Sequence, residues 1–200
     1  MISPPQVLSV LLGLCLVGEA AAASVETKST NSFITFTRPE VIAERGKVTG
    51  HVLVSDGRRF SFIPPSSWNL TVNAKERTLT FVSDDLGSSI QIKHVPNAKM
   101  TLDELKSGDA RTSLQKRYPK ALLTGQYECH TGGGSGVTFD IERHVEDLPS
   151  ITYRVAMVPF GNDLIEFQLT TETRKLPRYR WVFGNLLTSF KPDSLEPIRQ

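Results

Sequence analysis

Apolar and polar side chains alternate in short runs along most of this chain, and that period of two predicts strands. Val52-Leu53-Val54 and Phe60-Ser61-Phe62 flank Asp56-Gly57, a dipeptide that accepts the positive φ angles of a two-residue hairpin turn. Ile63 to Trp68 contains Pro64 and Pro65. Neither proline can donate to a central ladder, so this segment is a turn. Short strands are expected at 70–72, 78–82 and 89–95, and longer ones near 121–130, 136–144, 150–158 and 163–171. In the third of the longer strands Ile151, Tyr153, Val155 and Met157 share a face; in the fourth Ile165, Phe167 and Leu169 do.

Two stretches change to a helical period. Thr101-Leu102-Asp103-Glu104 is a capping box, in which the hydroxyl and the carboxylate each satisfy an amide at the helix start. The helix runs to about Tyr118, buries Leu102, Leu105, Ala110 and Leu114, and is weakest at Gly108. A last helix starts near Pro177, with Tyr179, Val182, Phe183, Leu186, Leu187 and Phe190 at helical spacing. Ahead of Gly50, Phe33 to Phe36 forms a short edge strand, and Pro39 to Arg45 a brief helix closed by Gly46. The late strands are joined by connections too short for parallel crossovers. The expected fold class is therefore α+β, a mainly antiparallel sheet flanked by helices.

Three landmarks occur in order: Phe60-Ser61-Phe62-Ile63-Pro64-Pro65-Ser66-Ser67-Trp68, the helix after Thr101, and the closing Phe183-Gly184-Asn185-Leu186-Leu187-Thr188-Ser189-Phe190. Val158-Pro159-Phe160-Gly161 and the strand from Leu164 to Thr171 precede the last of them. This order resembles the PsbP-like superfamily over roughly residues 50–191. That superfamily includes extrinsic lumenal proteins of photosystem II, a Ran-GTPase-binding transport factor and many bacterial exported proteins. The resemblance implies an antiparallel sheet flanked by helices. It implies no activity, because members bind different partners and share no catalytic set, and it transfers no site residue.

Residues 1–23 have the form of an export signal. Val7 to Gly18 is almost wholly apolar, too short for a stable span, and Ala20 to Ala23 suit a signal peptidase. The expectation is an exported protein, periplasmic or extracellular after cleavage near Ala22–Ser24. An extension at 24–49, a single domain at 50–191 and a tail at 192–200 would then follow. Leu14 before Cys15 does not fit a lipobox. Cleavage after Ala23 leaves 177 of the 200 residues, with 23 basic and 20 acidic side chains, net +3. Such a charge is too small for a nucleic-acid binder, and no later stretch is apolar enough to span a membrane. Cys129 is then the one cysteine left, which excludes a disulfide scaffold.

Candidate chemistry is sparse. Thr131-Gly132-Gly133-Gly134-Ser135-Gly136 precedes a strand pattern and lacks a Walker lysine, so it is a hairpin loop rather than a phosphate cradle. If that loop joins strands 121–130 and 136–144, Phe139 and Ile141 share a face with Tyr127 and Cys129. Gln126, Glu128, His130, Asp140, Glu142 and His144 then collect on the other. Glu128, His130, Asp140, Glu142 and His144 are usable ligands for a divalent cation, zinc or manganese; a solvated sheet face has the same composition. The same register points Cys129 into the core. His51 and His94 have no local partners and are expected at the surface or at strand ends. Arg174, Lys175, Arg178 and Arg180 cluster at the start of the last helix, against its dipole, as a candidate partner contact. Trp68 and Trp181 are expected as core anchors. The leading function is an exported, non-enzymatic binding or assembly module with an unknown protein partner. The alternatives are a divalent-metal-binding protein and a hydrolase whose site is assembled from residues far apart in sequence.

Overall fold

A computed structural model of the chain describes residues 32–42 and 46–193; the leader-like segment and Cys15 lie outside them. Strands β1 (Phe33–Ile42), β2 (Gly46–Ser55), β3 (Arg58–Phe62) and β11 (Lys191–Pro192) form one sheet in the order β1-β2-β3-β11. Seven more form a second sheet: β4 (Asn69–Asn73), β5 (Thr78–Val82), β6 (Ser88–Val95), β7 (Leu122–Thr131), β8 (Gly134–Arg143), β9 (Ile151–Phe160) and β10 (Asp163–Glu172). Their order is β4-β5-β6-β10-β9-β8-β7, and every pairing in both sheets is antiparallel. Three helices complete the α+β fold: α1 (Leu102–Lys106), α2 (Gly108–Arg117) and α3 (Leu176–Ser189).

Local chemistry sets the turns. Asp56 and Gly57 take φ of 50° and 78° between the paired Ser55 and Arg58, as a tight hairpin of this twist requires. The chain leaves the first sheet at Pro64-Pro65 and enters the second at Asn69. At the first helix the Thr101 amide donates to Glu104 Oε2 at 2.7 Å and the Glu104 amide to Thr101 Oγ1 at 3.3 Å. The single helix expected to Tyr118 is two. Ser107 is extended, with ψ of 173°, ahead of Gly108, where the helix holds least well. The break lets Leu105 of α1 and Ala110 and Leu114 of α2 reach the same sheet.

Two cores lie on opposite faces of the second sheet. Phe33, Leu53, Phe60 and Phe62 of the first sheet meet Ile92, Val158 and Phe167 of the second and Tyr179, Phe183 and Leu186 of α3. On the other face Val137, Phe139, Val155 and Met157 pack under α1 and α2. Strand β9 is therefore buried on both faces, Ala156 and Val158 toward one core and Val155 and Met157 toward the other.

The segment before Gly50 differs from expectation. Pro39 to Ile42 continues β1 instead of starting a helix, paired with β2 from Phe33↔Ser55 to Ile42↔Gly46. Thr35, Thr37, Val41 and Ile42 favour strand, and an edge position tolerates Pro39. Residues 33–42 and 46–49, expected as part of an extension, contribute β1, the start of β2 and the core residue Phe33.

Candidate functional site

The sheet register decides where the predicted metal residues fall. The β7–β8 turn contains only Gly132 and Gly133, with Thr131 opposite Gly134. Gly136 belongs to β8, where a Cβ would run into the Met157 carbonyl of β9. The glycine run thus serves close strand packing more than loop flexibility. The pairing differs by one residue from that expected, and a one-residue shift exchanges the faces. Gln126, Glu128 and His130 lie opposite Phe139, Val137 and Ser135, whereas Tyr127 and Cys129 lie opposite Thr138 and Gly136.

The five candidate ligands are consequently split. Glu128 pairs with Lys106 of α1 at 2.5 Å, and that ammonium holds its carboxyl below the ordinary value. His130 Nδ1 lies 3.0 Å from Ser135 Oγ. Asp140 faces the other side and accepts two hydrogen bonds of 2.7 Å from Arg154. Glu142 and His144 stay adjacent at 3.5 Å. Among the described residues no three His, Cys, Asp or Glu side chains form a metal cage. Cys129 does turn toward the core with α3, half-buried, and burial pushes its thiol up. Calorimetric titration with zinc is expected to give the same isotherm for the wild type and the His130→Ala, His144→Ala double variant. A stoichiometric wild-type isotherm lost in the variant would contradict this register.

His94 is not at the surface. It is 1% exposed, with Nδ1 2.6 Å from Ser55 Oγ and Nε2 3.1 Å from Asp163 Oδ2. Asp163 also meets Arg58 Nε at 2.6 Å and accepts from the Asn97 amide at 3.0 Å. A serine, a histidine and an aspartate in series suggest a hydrolase, but Ser55 is 0% exposed and a sealed hydroxyl reaches no substrate. The array joins β2, β6 and the start of β10. A second series, Ser150, His144 and Glu142, is exposed; its histidine–carboxylate distance of 3.5 Å is beyond a hydrogen bond, so the carboxylate does not orient the ring. His51 is half-buried against the Phe62 ring at 5.8 Å, and burial lowers its pKa.

The outward face of α3 remains. Tyr179, Phe183, Leu186 and Leu187 take its buried face, which leaves Trp181 outward and 69% exposed. The expectation that Trp181 anchors the core is thereby corrected. Trp68 does pack on the core, edge-on to Tyr179 at 5.5 Å. The basic cluster divides in two. Arg174 pairs with Glu172 at 2.6 Å, and Lys175 with Asp85 at 3.2 Å and Glu172 at 3.4 Å. The Ser83 hydroxyl and the Gly87 amide, with smaller help from Lys175 and Tyr179, hold the Asp85 carboxyl well below the usual carboxylate range. Arg178 and Arg180 are exposed and form no ion pair among the described residues. Each guanidinium lies over a ring, Arg178 on Tyr179 at 5.3 Å and Arg180 on Trp181 at 6.0 Å.

Beside them Tyr127 is 54% exposed and its ring folds over Gly125. A cavity of about 320 Å³ lies between α3 and the sheet, and its lining includes Tyr127, Glu128, Thr138, Arg154, Arg180 and Gly184. A Cβ on Gly184 would meet nothing within 4 Å. A larger groove of about 730 Å³ runs between Pro64–Trp68, the end of β1 and Val182 and Leu186 of α3. Glu40 and Lys191 give that groove charges of both signs. No described helix is long and apolar enough to cross a membrane.

No family model matches the chain, and no curated protein sequence matches it. Among solved structures it is similar to a Bacteroides thetaiotaomicron protein at 17% identity and a TM-score of 0.46, over 69% of this chain and 46% of that one. The chain thus spans less than half of that protein's length. It is similar to cyanobacterial PsbP from Synechocystis at 14% identity, over 88% of this chain and 99% of that one, with a TM-score of 0.46. It is also similar to the Ran-binding protein Mog1p of Saccharomyces cerevisiae at 9% identity, over 80% and 95%, with a TM-score of 0.42. The likeness is one of fold, an antiparallel sheet flanked by helices.

Proposed function

We propose that this chain is a non-enzymatic binding module that docks an acidic segment of a partner protein on the outward face of α3. The observation that carries the proposal is the unneutralised guanidinium of Arg180 beside the exposed rings of Trp181 and Tyr127, with a second exposed and unpaired cation, Arg178, on the same helix. Trp, Tyr and Arg dominate binding energy at protein interfaces. Trp181 offers this face a large ring to bury, with an indole N–H free to donate. The ring contacts hold the two cations on the helix surface, where carboxylates would meet them with attraction and faster encounter. The export signal read in residues 1–23 supports a place of action outside the cytoplasm.

Polyglutamate is the simplest probe. In a Trp68→Phe background the emission of Trp181 is expected to shift to the blue on addition of polyglutamate and to stay unchanged with polylysine. Salt at several times the physiological level is expected to reverse the shift, because the contacts are exposed. Arg178→Glu with Arg180→Glu is expected to weaken binding by about tenfold or more, as like charges then face each other. Equal affinity in that variant, with its fold intact, contradicts the proposal.

A further inference from the structure

We infer that the partner's acidic segment binds as an added strand on the free edge of β7, an inference that rests on the docking reading above. The two sheets have four edges, and that of β11 is only two residues long. Strand β1 carries Pro39 in mid-strand, and Arg38, beside it, is tied to Glu40 and Asp193. Strand β4 has five residues. Strand β7 has ten, none of them proline, and closes the seven-stranded sheet. Its pairing shifts only between Leu123 and Gly125, so Gln126 to Thr131 run in regular register. Among the described residues no backbone hydrogen bond beyond the β8 ladder involves 122–131. An antiparallel ladder turns the N–H and C=O of every second residue away from its partner. The edge is thus a row of unfilled donors and acceptors, which natural sheets usually shorten, interrupt or cover.

The surroundings of this edge choose the occupant. The cavity between α3 and β7 opens beside Tyr127 and Arg180. Of its two cations Arg154 is already neutralised by Asp140, while Arg180 is not. Glu128, the acid on this part of the edge, is held by Lys106. An extended segment pairing with Gln126–Thr131 presents alternate side chains to α3. A carboxylate there meets Arg180, which lines the cavity beside Tyr127, and a neighbouring apolar side chain enters the space left by Gly184. Strand addition supplies affinity through the main chain, and the alternate side chains supply selectivity.

A heptapeptide that alternates Thr with Glu, Phe and Glu places both acids and the ring on one face. A control of the same composition puts Glu and Phe on opposite faces. Two further versions carry backbone N-methyl groups on alternate residues, in one phase or the other. The parent peptide is expected to bind, and the control to bind more weakly. One N-methyl phase is expected to lose about tenfold, the worth of one or two hydrogen bonds, and the other to stay within about twofold. Amide exchange at alternate residues of Gln126–Thr131 is expected to slow when the parent is bound. Equal affinities in the two N-methyl phases, both high or both low, overturn strand addition. If the parent still loses affinity to Arg178→Glu with Arg180→Glu in that case, acidic docking on α3 survives and only the strand mode falls. If no acidic peptide and no polyglutamate binds, both fall.

Discussion

Truncating Phe190 to alanine is expected to destabilise the fold by about 4 kcal/mol, the upper range for a buried aromatic ring. Phe190 is 0% exposed and sits where both sheets and α3 converge. Its ring centroid lies 4.9 Å from Phe167, 5.3 Å from Phe60, 5.7 Å from Phe62 and 6.0 Å from Phe160. The same residue ends the helix, its amide donating to the Leu186 and Leu187 carbonyls at 3.1 Å each. Its loss therefore leaves a cavity under α3. Thermal unfolding followed by circular dichroism should show a midpoint lower by roughly 10 °C. Phe190→Leu, which keeps apolar volume, is expected to lose less than half as much. A loss below about 1 kcal/mol in the alanine variant would show that the five rings do not form the centre of this core.

The second large effect is at Asp163. Asp163→Ala is expected to cost about 2 kcal/mol, because His94 loses its acceptor inside the protein. Arg58 adds little to that figure, since its side chain is 44% exposed and its pairing is screened. The cost depends on pH. Burial alone would raise the Asp163 carboxyl, but the Asn97 amide, the His94 ring and the Arg58 guanidinium outweigh it and hold the group below its ordinary 3.8. A carboxyl depressed in the folded state contributes stability in full above its unfolded value and loses it as pH falls through the folded value. Denaturant unfolding should thus give wild-type and Asp163→Ala curves that stay parallel above about pH 5 and converge below about pH 4. A constant difference down to strongly acid pH would contradict this role.

Much of the fold was legible because its causes are local. Asp56-Gly57 fixed a hairpin, Thr101 and Glu104 fixed a helix start, and the spacing of Tyr179, Phe183 and Leu187 fixed the buried stripe of α3. What was illegible depended on distant partners. The β7–β8 register depends on a turn of only Gly132 and Gly133, with Gly136 already inside β8 and close against Met157 of β9, which no hydrophobic pattern within the hairpin reveals. His94 finds Ser55 and Asp163 at separations of 39 and 69 residues. The basic cluster could be seen as a cluster, but its division could not: Lys175 meets Asp85 across 90 residues. Trp181 is different in kind. Its position off the buried stripe was readable from the helical period, and its size alone argued for burial.

The proposed docking place is the outward face of α3 beside β7. Chemical-shift mapping of the isotope-labelled protein during titration with polyglutamate tests it most directly. The largest changes are expected at Arg178, Arg180, Trp181 and Gly184 of α3 and at Tyr127 of β7. Changes centred on the Pro64–Trp68 groove, or spread evenly over all basic side chains, would contradict it.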